Sequence, residues 1–157
     1  MAVYMQVEGV KGDVSQENHV DWIPLQEVKL PTSRPDVNTT AGNISDRTTS
    51  QVTFEDIEIS KYMDKASPDL MKWNIRGDTK LVTIEICKEN GAPVLQLVLK
   101  DVILTNYEPT SDEEGKVEES ISLDYTHIEY NYTPYDAKNK AKPVQRAHYD
   151  LEKAVGS

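Results

Sequence analysis

A mainly β fold with one short helix follows from three features of this 157-residue chain. Apolar and polar residues alternate in several separate stretches, the period-two signature of half-buried strands. Asn90-Gly91, a favoured two-residue hairpin turn, stands between two of them. One segment alone, Ser67 to Arg76, carries convincing helix signals at both ends.

That segment belongs to the stretch around which the rest is organised, IEISKYMDKASPDLMKWNIR, from Ile57 to Arg76. Ile57 and Ile59 alternate with Glu58 and Ser60 as a strand. Ser67 is the expected N-cap, Pro68 has its φ pre-set for the first helical turn, and Asp69 faces the positive dipole end. Lys72 and Arg76 sit near the negative end, and Gly77 follows as the stop. A helix of about two turns does not stand alone in water. Leu70, Met71, Trp73 and Ile75 are therefore expected to pack, with the sheet as their partner.

Before that stretch, Val3, Met5 and Val7 alternate with Tyr4, Gln6 and Glu8, and a Gly9-to-Asp13 turn follows. His19 to Leu30 reads as a second extended segment, with Pro24 marking an edge or a break in the ladder and Trp22 as a core or interface aromatic. Pro31 to Ser50 is polar and turn-forming, with charges of both signs at Arg34, Asp36, Asp46 and Arg47. It is expected to be a structureless loop, and a loop of that length is either functional or disordered. From Gln51 to Tyr62 the chain is strand again. Val52 and Phe54 share one parity and Ile57 and Ile59 the other, which predicts a bulge or a passage between sheets near Glu55-Asp56.

Beyond the helix, Thr79 to Glu89 and Ala92 to Tyr107 form the two arms of the Asn90-Gly91 hairpin. The second arm is apolar on both parities: Leu95, Leu97, Leu99 and Ile103 on one, Val94, Val98, Val102 and Leu104 on the other. A strand of that kind is covered on both faces, here by the helix, a neighbouring subunit, or both. Asp112-Glu113-Glu114-Gly115 reads as a solvated hairpin tip. Glu119 to Thr133 reads as one long strand whose inward parity passes from Ile121, Leu123 and Tyr125 to Ile128, Tyr130 and Tyr132. Residues 134–157 form a polar C-terminal segment. Within it Val144 to Ala154 is compatible with either an edge strand or a frayed helix.

The whole of 1–157 is expected to be one domain, with enough apolar residues for one core. A net charge of −10 argues against nucleic acid, whose phosphates need a basic face. A single cysteine, Cys87, excludes an internal disulfide and a cysteine-rich zinc site, and its mid-strand position reads as core or interface. The start of the chain lacks the basic and apolar regions of a signal peptide, and no stretch approaches a membrane span. Both observations predict a protein made in the cytoplasm without membrane insertion. The Asn-x-Ser/Thr triplets at Asn38, Asn43 and Asn131 carry no weight without a secretory signal.

Nothing in the chain has the pattern of a catalyst. His19, His127 and His148 lie far apart without a second metal-type ligand at a telling spacing. His127 reads as a satisfied structural imidazole. No phosphate-cradling glycine loop or nucleophile elbow is present. Glu85, Asp101, Asp124 and Glu129 are strand-borne acids, but a catalytic pair needs an aromatic-walled cleft that 7% aromatic residues give little to build. The reading is of a non-enzyme with no catalytic, cofactor-binding or metal-binding residues and no cofactor.

Two motifs then point to a family. Met1, Ala2, Met5, Gly9, Lys11, Gly12 and Asp13 form one. Lys61, Tyr62, Asp64, Lys65, Ser67, Pro68 and Leu70 form the other. In this order and at this separation they resemble the haemolysin-coregulated protein (Hcp) family of bacterial type VI secretion, over essentially the whole chain. Many members have a Ser-Trp-Ser-Trp-Gly-like stretch and a glycine-rich loop where this chain has Trp22-Ile23-Pro24-Leu25-Gln26 and a Pro/Asn/Thr loop.

The resemblance implies a small β-barrel of two packed antiparallel sheets with one short flanking helix, like contractile-phage tail-tube proteins. It also implies a homohexameric ring, stacked into a tube that a contractile sheath expels. The tube would carry a spike protein at its tip and effector proteins in its lumen, and be secreted without a signal peptide. On that reading Leu70, Met71, Trp73 and Ile75 meet the barrel or an adjacent subunit, and Arg34, Asp36, Asp46 and Arg47 dock on the next ring. The alternative is a monomeric β-barrel that binds a small ligand or an effector in its interior.

Overall fold

In chain order the strands are β1 (Ala2–Val7), β2 (Ile23–Leu25), β3 (Glu27–Lys29), β4 (Ser33–Asn38), β5 (Thr48–Phe54) and β6 (Ile57–Tyr62). The helix α1 (Ser67–Arg76) follows, then β7 (Lys80–Cys87), β8 (Pro93–Ser111), β9 (Val117–Asp124), β10 (His127–Tyr132), β11 (Gln145–Asp150) and β12 (Val155–Gly156). This computed structural model describes residues 1–38, 48–153 and 155–156.

Two antiparallel sheets meet over one core. The first runs β12-β11-β10-β8-β7-β1-β2, and the second is made by β3, β6, β9 and the far half of β8. Two strands turn the corners. β8 pairs with β7 and β10 up to Val102 and with β9 from Ile103 onward. β2 pairs with β1, and immediately after Gln26, whose N–H donates to the Ser60 carbonyl, β3 pairs with β6. The result is barrel-like, although the ladder is not continuous all the way round.

The corner in β8 explains its double apolar parity. Asp101 sits at φ 52°, left-handed, and shifts the pattern by one residue. Leu95, Leu97 and Leu99 before it and Val102 and Leu104 after it all reach the same core, while Val94, Val98 and Ile103 are half-buried. α1 packs against this strand, with Asn74 Nδ2 donating to the Leu104 carbonyl at 2.9 Å. The parity switch near Glu55-Asp56 is likewise a change of sheet, since β5 and β6 belong to different ones. Pro24 lies on the edge strand β2, one residue from the break between β2 and β3.

Four expectations are corrected. Pro31 to Ser50 is not structureless: β4 and β5 form a separate two-stranded ribbon, pairing from Ser33↔Phe54 to Asn38↔Thr48. A ribbon satisfies its backbone through its own ladder and needs no apolar alternation, so hydrophobic periodicity does not reveal it. Glu119 to Thr133 is two strands, β9 and β10, in different sheets, joined at Tyr125-Thr126. Ile128 is buried there, whereas Tyr130 and Tyr132 are exposed. The open choice at Val144 to Ala154 falls to a strand, β11, which pairs with β10 and, at its last two residues, with the short β12.

The fourth correction is the helix cap. The N-cap is Ala66, with no side-chain cap bond, and Ser67 already lies inside a ten-residue helix. Its hydroxyl is drawn instead into a buried ion pair described below. The C-terminus is as expected: Gly77 is left-handed at φ 70°, and its N–H donates to the Trp73 carbonyl at 2.9 Å. A short 3-10 turn, Glu17–His19, precedes β2. No helix among the described residues is long and apolar enough to cross a membrane.

Candidate assembly surface and buried polar centres

The helix has two faces with different fates. Leu70 and Trp73 are buried in the core, and the Trp73 indole N–H donates to the Asp78 carbonyl at 2.7 Å. Met71 and Ile75, one turn apart, point the other way and are 56% and 71% exposed in the single chain. A pair of large apolar residues left in water on a helix packed against the sheet is the kind of surface a second copy covers.

Beneath the helix start lies a charged centre. Lys61 and Glu119 are fully buried. The Lys61 ammonium has four acceptors around it: Glu119 Oε1 at 2.5 Å, the Tyr62 carbonyl at 2.8 Å, Asp64 Oδ1 at 3.0 Å and, more distantly, Ser67 Oγ at 3.3 Å. Ser67 Oγ accepts from the Asp64 N–H and donates to Glu119 Oε1 at 2.9 Å. The Tyr107 hydroxyl donates to Glu119 Oε2. Burial, then the bond to Glu119, pushes the Tyr107 phenol up from its usual range. Thus the second sequence motif is a structural knot, tying β6, α1, β8 and β9 to one carboxylate. Burying a charge pair is costly unless further hydrogen bonds support it, which is why the hydroxyl of Ser67 faces inward and does not cap; Asp64 Oδ2 stays buried without a hydrogen bond.

A second centre joins residues far apart in sequence. His19 Nε2 lies 2.7 Å from Glu85 Oε1 and 3.6 Å from Cys87 Sγ, and all three residues are buried. Tyr4 and Trp22 flank the imidazole at ring distances of 4.6 and 4.7 Å. Sequence spacing offers the shared parity of Glu85 and Cys87 on β7, but His19 stands 66 residues from Glu85 and nothing local joins it to them. The Cys87 thiol is pushed up to about 11 by burial and by the Glu85 charge. The native protein is therefore expected to resist iodoacetamide at pH 8 and to react once unfolded in urea. Equal alkylation rates in the two states would place the thiol at the surface.

The other residues singled out in the sequence are dispersed. Asp101 on β8 accepts from the Thr126 hydroxyl at 2.9 Å, and Asp124 at the end of β9 accepts from the Tyr125 N–H. Glu129 on β10 is 3.7 Å from His127. His127 is not the satisfied imidazole expected: its Nε2 is buried without a hydrogen bond. Asp150 lies 3.9 Å from its other nitrogen, and the ring stacks on His148. Arg34 on β4 is exposed and ion-paired with Glu55. Asp36 pairs with Gln51 in the ribbon. Asp46 and Arg47 lie outside the described residues.

Solved structures first define the class of fold. One described as the structure of a type six secretion system protein superimposes with a TM-score of 0.91 at 18% identity, covering 99% of each chain. The crystal structure of Hcp1 from Salmonella typhimurium gives 0.80 at 18% identity, covering 99% of this chain and 98% of that one. Among curated proteins, "Protein hcp1" of Pseudomonas aeruginosa PAO1 is 27% identical over 92 residues. That match takes in 55% of this chain and 57% of the relative, just over half its length. The family profile "Type VI secretion system effector, Hcp" matches residues 4–132. The chain belongs to the Hcp family of type VI secretion.

Proposed function

We propose that the chain is a structural subunit of the type VI secretion inner tube. The family match over residues 4–132 carries this reading. Six copies close into a ring, and rings stack into a tube. A contractile sheath expels the tube behind a spike protein, with effector proteins in its lumen. The subunit is made in the cytoplasm and leaves through the machine itself. It works as a scaffold and not as an enzyme.

The helix supplies support from geometry. Met71 and Ile75 stand exposed beside a core that is already full of side chains. That filled interior, with Met5, Ile23, Trp73, Leu97 and Leu123 all buried, also speaks against a ligand held inside a monomer. Ring closure by repeated heterologous contacts gives an obligate-type interface, above about 2,000 Å2 in total. Light scattering of the purified chain is expected to give the mass of a hexamer. Ile75→Asp is expected to give a folded monomer with an unchanged far-ultraviolet spectrum. A wild-type chain that stays monomeric at high micromolar concentration would refute the ring.

The β4–β5 ribbon is the proposed stacking element, with Arg34, Asp36, Asp46 and Arg47 as its contacts. Arg34 would share its guanidinium between Glu55 and the next ring. Exposed ion pairs are worth only about 0–1 kcal/mol each, so stacking is salt-sensitive even when repeated six times. Replacing residues 41–46 with a short Gly-Ser link is expected to leave hexamers intact and abolish tubes and secretion. Wild-type secretion by that variant, or loss of the rings themselves, would reassign the ribbon.

A further inference from the structure

The centre at His19, Glu85 and Cys87 has no part in the assembly just described. We propose that His19 Nε2, one Glu85 oxygen and Cys87 Sγ bind a zinc(II) ion. It would be a three-ligand site with a fourth position open to water.

Geometry is the first support. The three donor atoms lie within 4.8 Å of one another, and all three residues are buried. In a tetrahedral zinc site, metal–ligand lengths of about 2.0 Å to nitrogen or oxygen and 2.3 Å to sulfur place N and S about 3.5 Å apart. The observed separation is 3.6 Å. The His19–Glu85 pair, at 2.7 Å, has to open to about 3.3 Å. A rotation of the Glu85 carboxylate by about half an ångström opens that edge.

The outer shell is the second support, and it is independent of the first. Gln16 Oε1 lies 2.7 Å from His19 Nδ1 and also accepts from the Asn18 N–H, which fixes the amide with its oxygen toward the ring. Nδ1 is thus the donor, and Nε2 is the atom turned to the centre. On the other side Gln96 Nε2 donates to Glu85 Oε2 at 2.7 Å, and Gln96 Oε1 accepts from Asn131 Nδ2. His19 and Glu85 are each held through the atom they would not use for the metal. Metal-bound histidines and carboxylates are oriented in this way.

The charge balance closes. Nε2 and Sγ bind the metal without protons, which pass to solvent, and zinc(II), thiolate and carboxylate sum to zero inside the core, where an unbalanced charge is costly. A thiolate, imidazole and carboxylate set favours zinc over magnesium or calcium, which prefer all-oxygen shells. Glu85, the least buried of the three, marks the side of entry.

Cys87 is the only cysteine, so sulfur coordination has one possible source. The full, tag-free chain is loaded with zinc chloride, gel-filtered and assayed for metal. It is then stripped and titrated with cobalt(II). About one metal per chain is expected, with a near-ultraviolet thiolate-to-cobalt band and the intense visible bands of tetrahedral cobalt. Cys87→Ser is expected to lose the sulfur band and bind at least about tenfold more weakly. Zinc should raise the melting temperature of the wild type and not of the variant. No retained metal, cobalt binding without a sulfur band, or equal affinity in the variant overturns the site. Should Cys87→Ser fail to fold, the wild-type cobalt spectrum decides alone.

Discussion

Lys61→Met is expected to destabilise the fold by about 3–5 kcal/mol, because it leaves the buried Glu119 carboxylate without its counter-charge. That is a large fraction of the 5–15 kcal/mol that holds a typical domain together. The loss comes from the orphaned partner more than from the missing attraction, so a second substitution should give much of it back. Lys61→Met with Glu119→Gln removes that charge pair, leaves only the Asp64 carboxylate without its lysine, and is expected to recover part of the deficit. Urea unfolding at one fixed protomer concentration measures both, since association adds to apparent stability. A single variant within about 1 kcal/mol of wild type would show that water reaches Glu119.

Trp73→Ala is expected to cost about 3–5 kcal/mol by opening a cavity between α1 and β8. It also strands the Asp78 carbonyl that now accepts the indole N–H. Its effect should differ in kind from that of Ile75→Asp on the same helix. Trp73 belongs to the core of the single chain, so its loss lowers the melting temperature whether or not rings form. Ile75 touches solvent in the single chain, so its loss should spare the fold and act on association. A Trp73→Ala protein that melts normally but no longer assembles would move this side chain from core to interface.

Several features were legible because they are local. The hairpin at Asn90-Gly91, the Gly77 stop and the parity switch before Ile57 depend on residues a few positions apart and are found. The hairpin nevertheless closes as a wider loop, with the Lys88 N–H donating to the Ala92 carbonyl and only Gly91 of the two left-handed. The family was legible from two motifs, the second of which proves to hold the Lys61 and Ser67 side chains of the buried knot. Hydrophobic periodicity, however, reports which side of a strand is buried and not which sheet the strand has joined. So β8 read as apolar on both faces, when a single left-handed residue, Asp101, rotates it from one sheet into the other.

Polar partnerships were the part that only the tertiary structure decided. Ser67 has the sequence of a helix cap, and taken alone it would serve as one. It turns inward because Lys61 and Glu119, 58 residues apart, meet beneath it, and a buried ion pair outbids a cap worth about 1 kcal/mol. The β4–β5 ribbon escaped notice because backbone pairing leaves no trace in the alternation of its side chains. His19 met Glu85 and Cys87 of β7 only when its 3-10 turn packed on Tyr4 of β1, the residue that pairs with Glu85. The sequence by itself determined a β-rich Hcp subunit with one short helix. Which charges, hydroxyls and thiol would share its interior was settled by the long-range register of the strands, a property that no local stretch of residues contains.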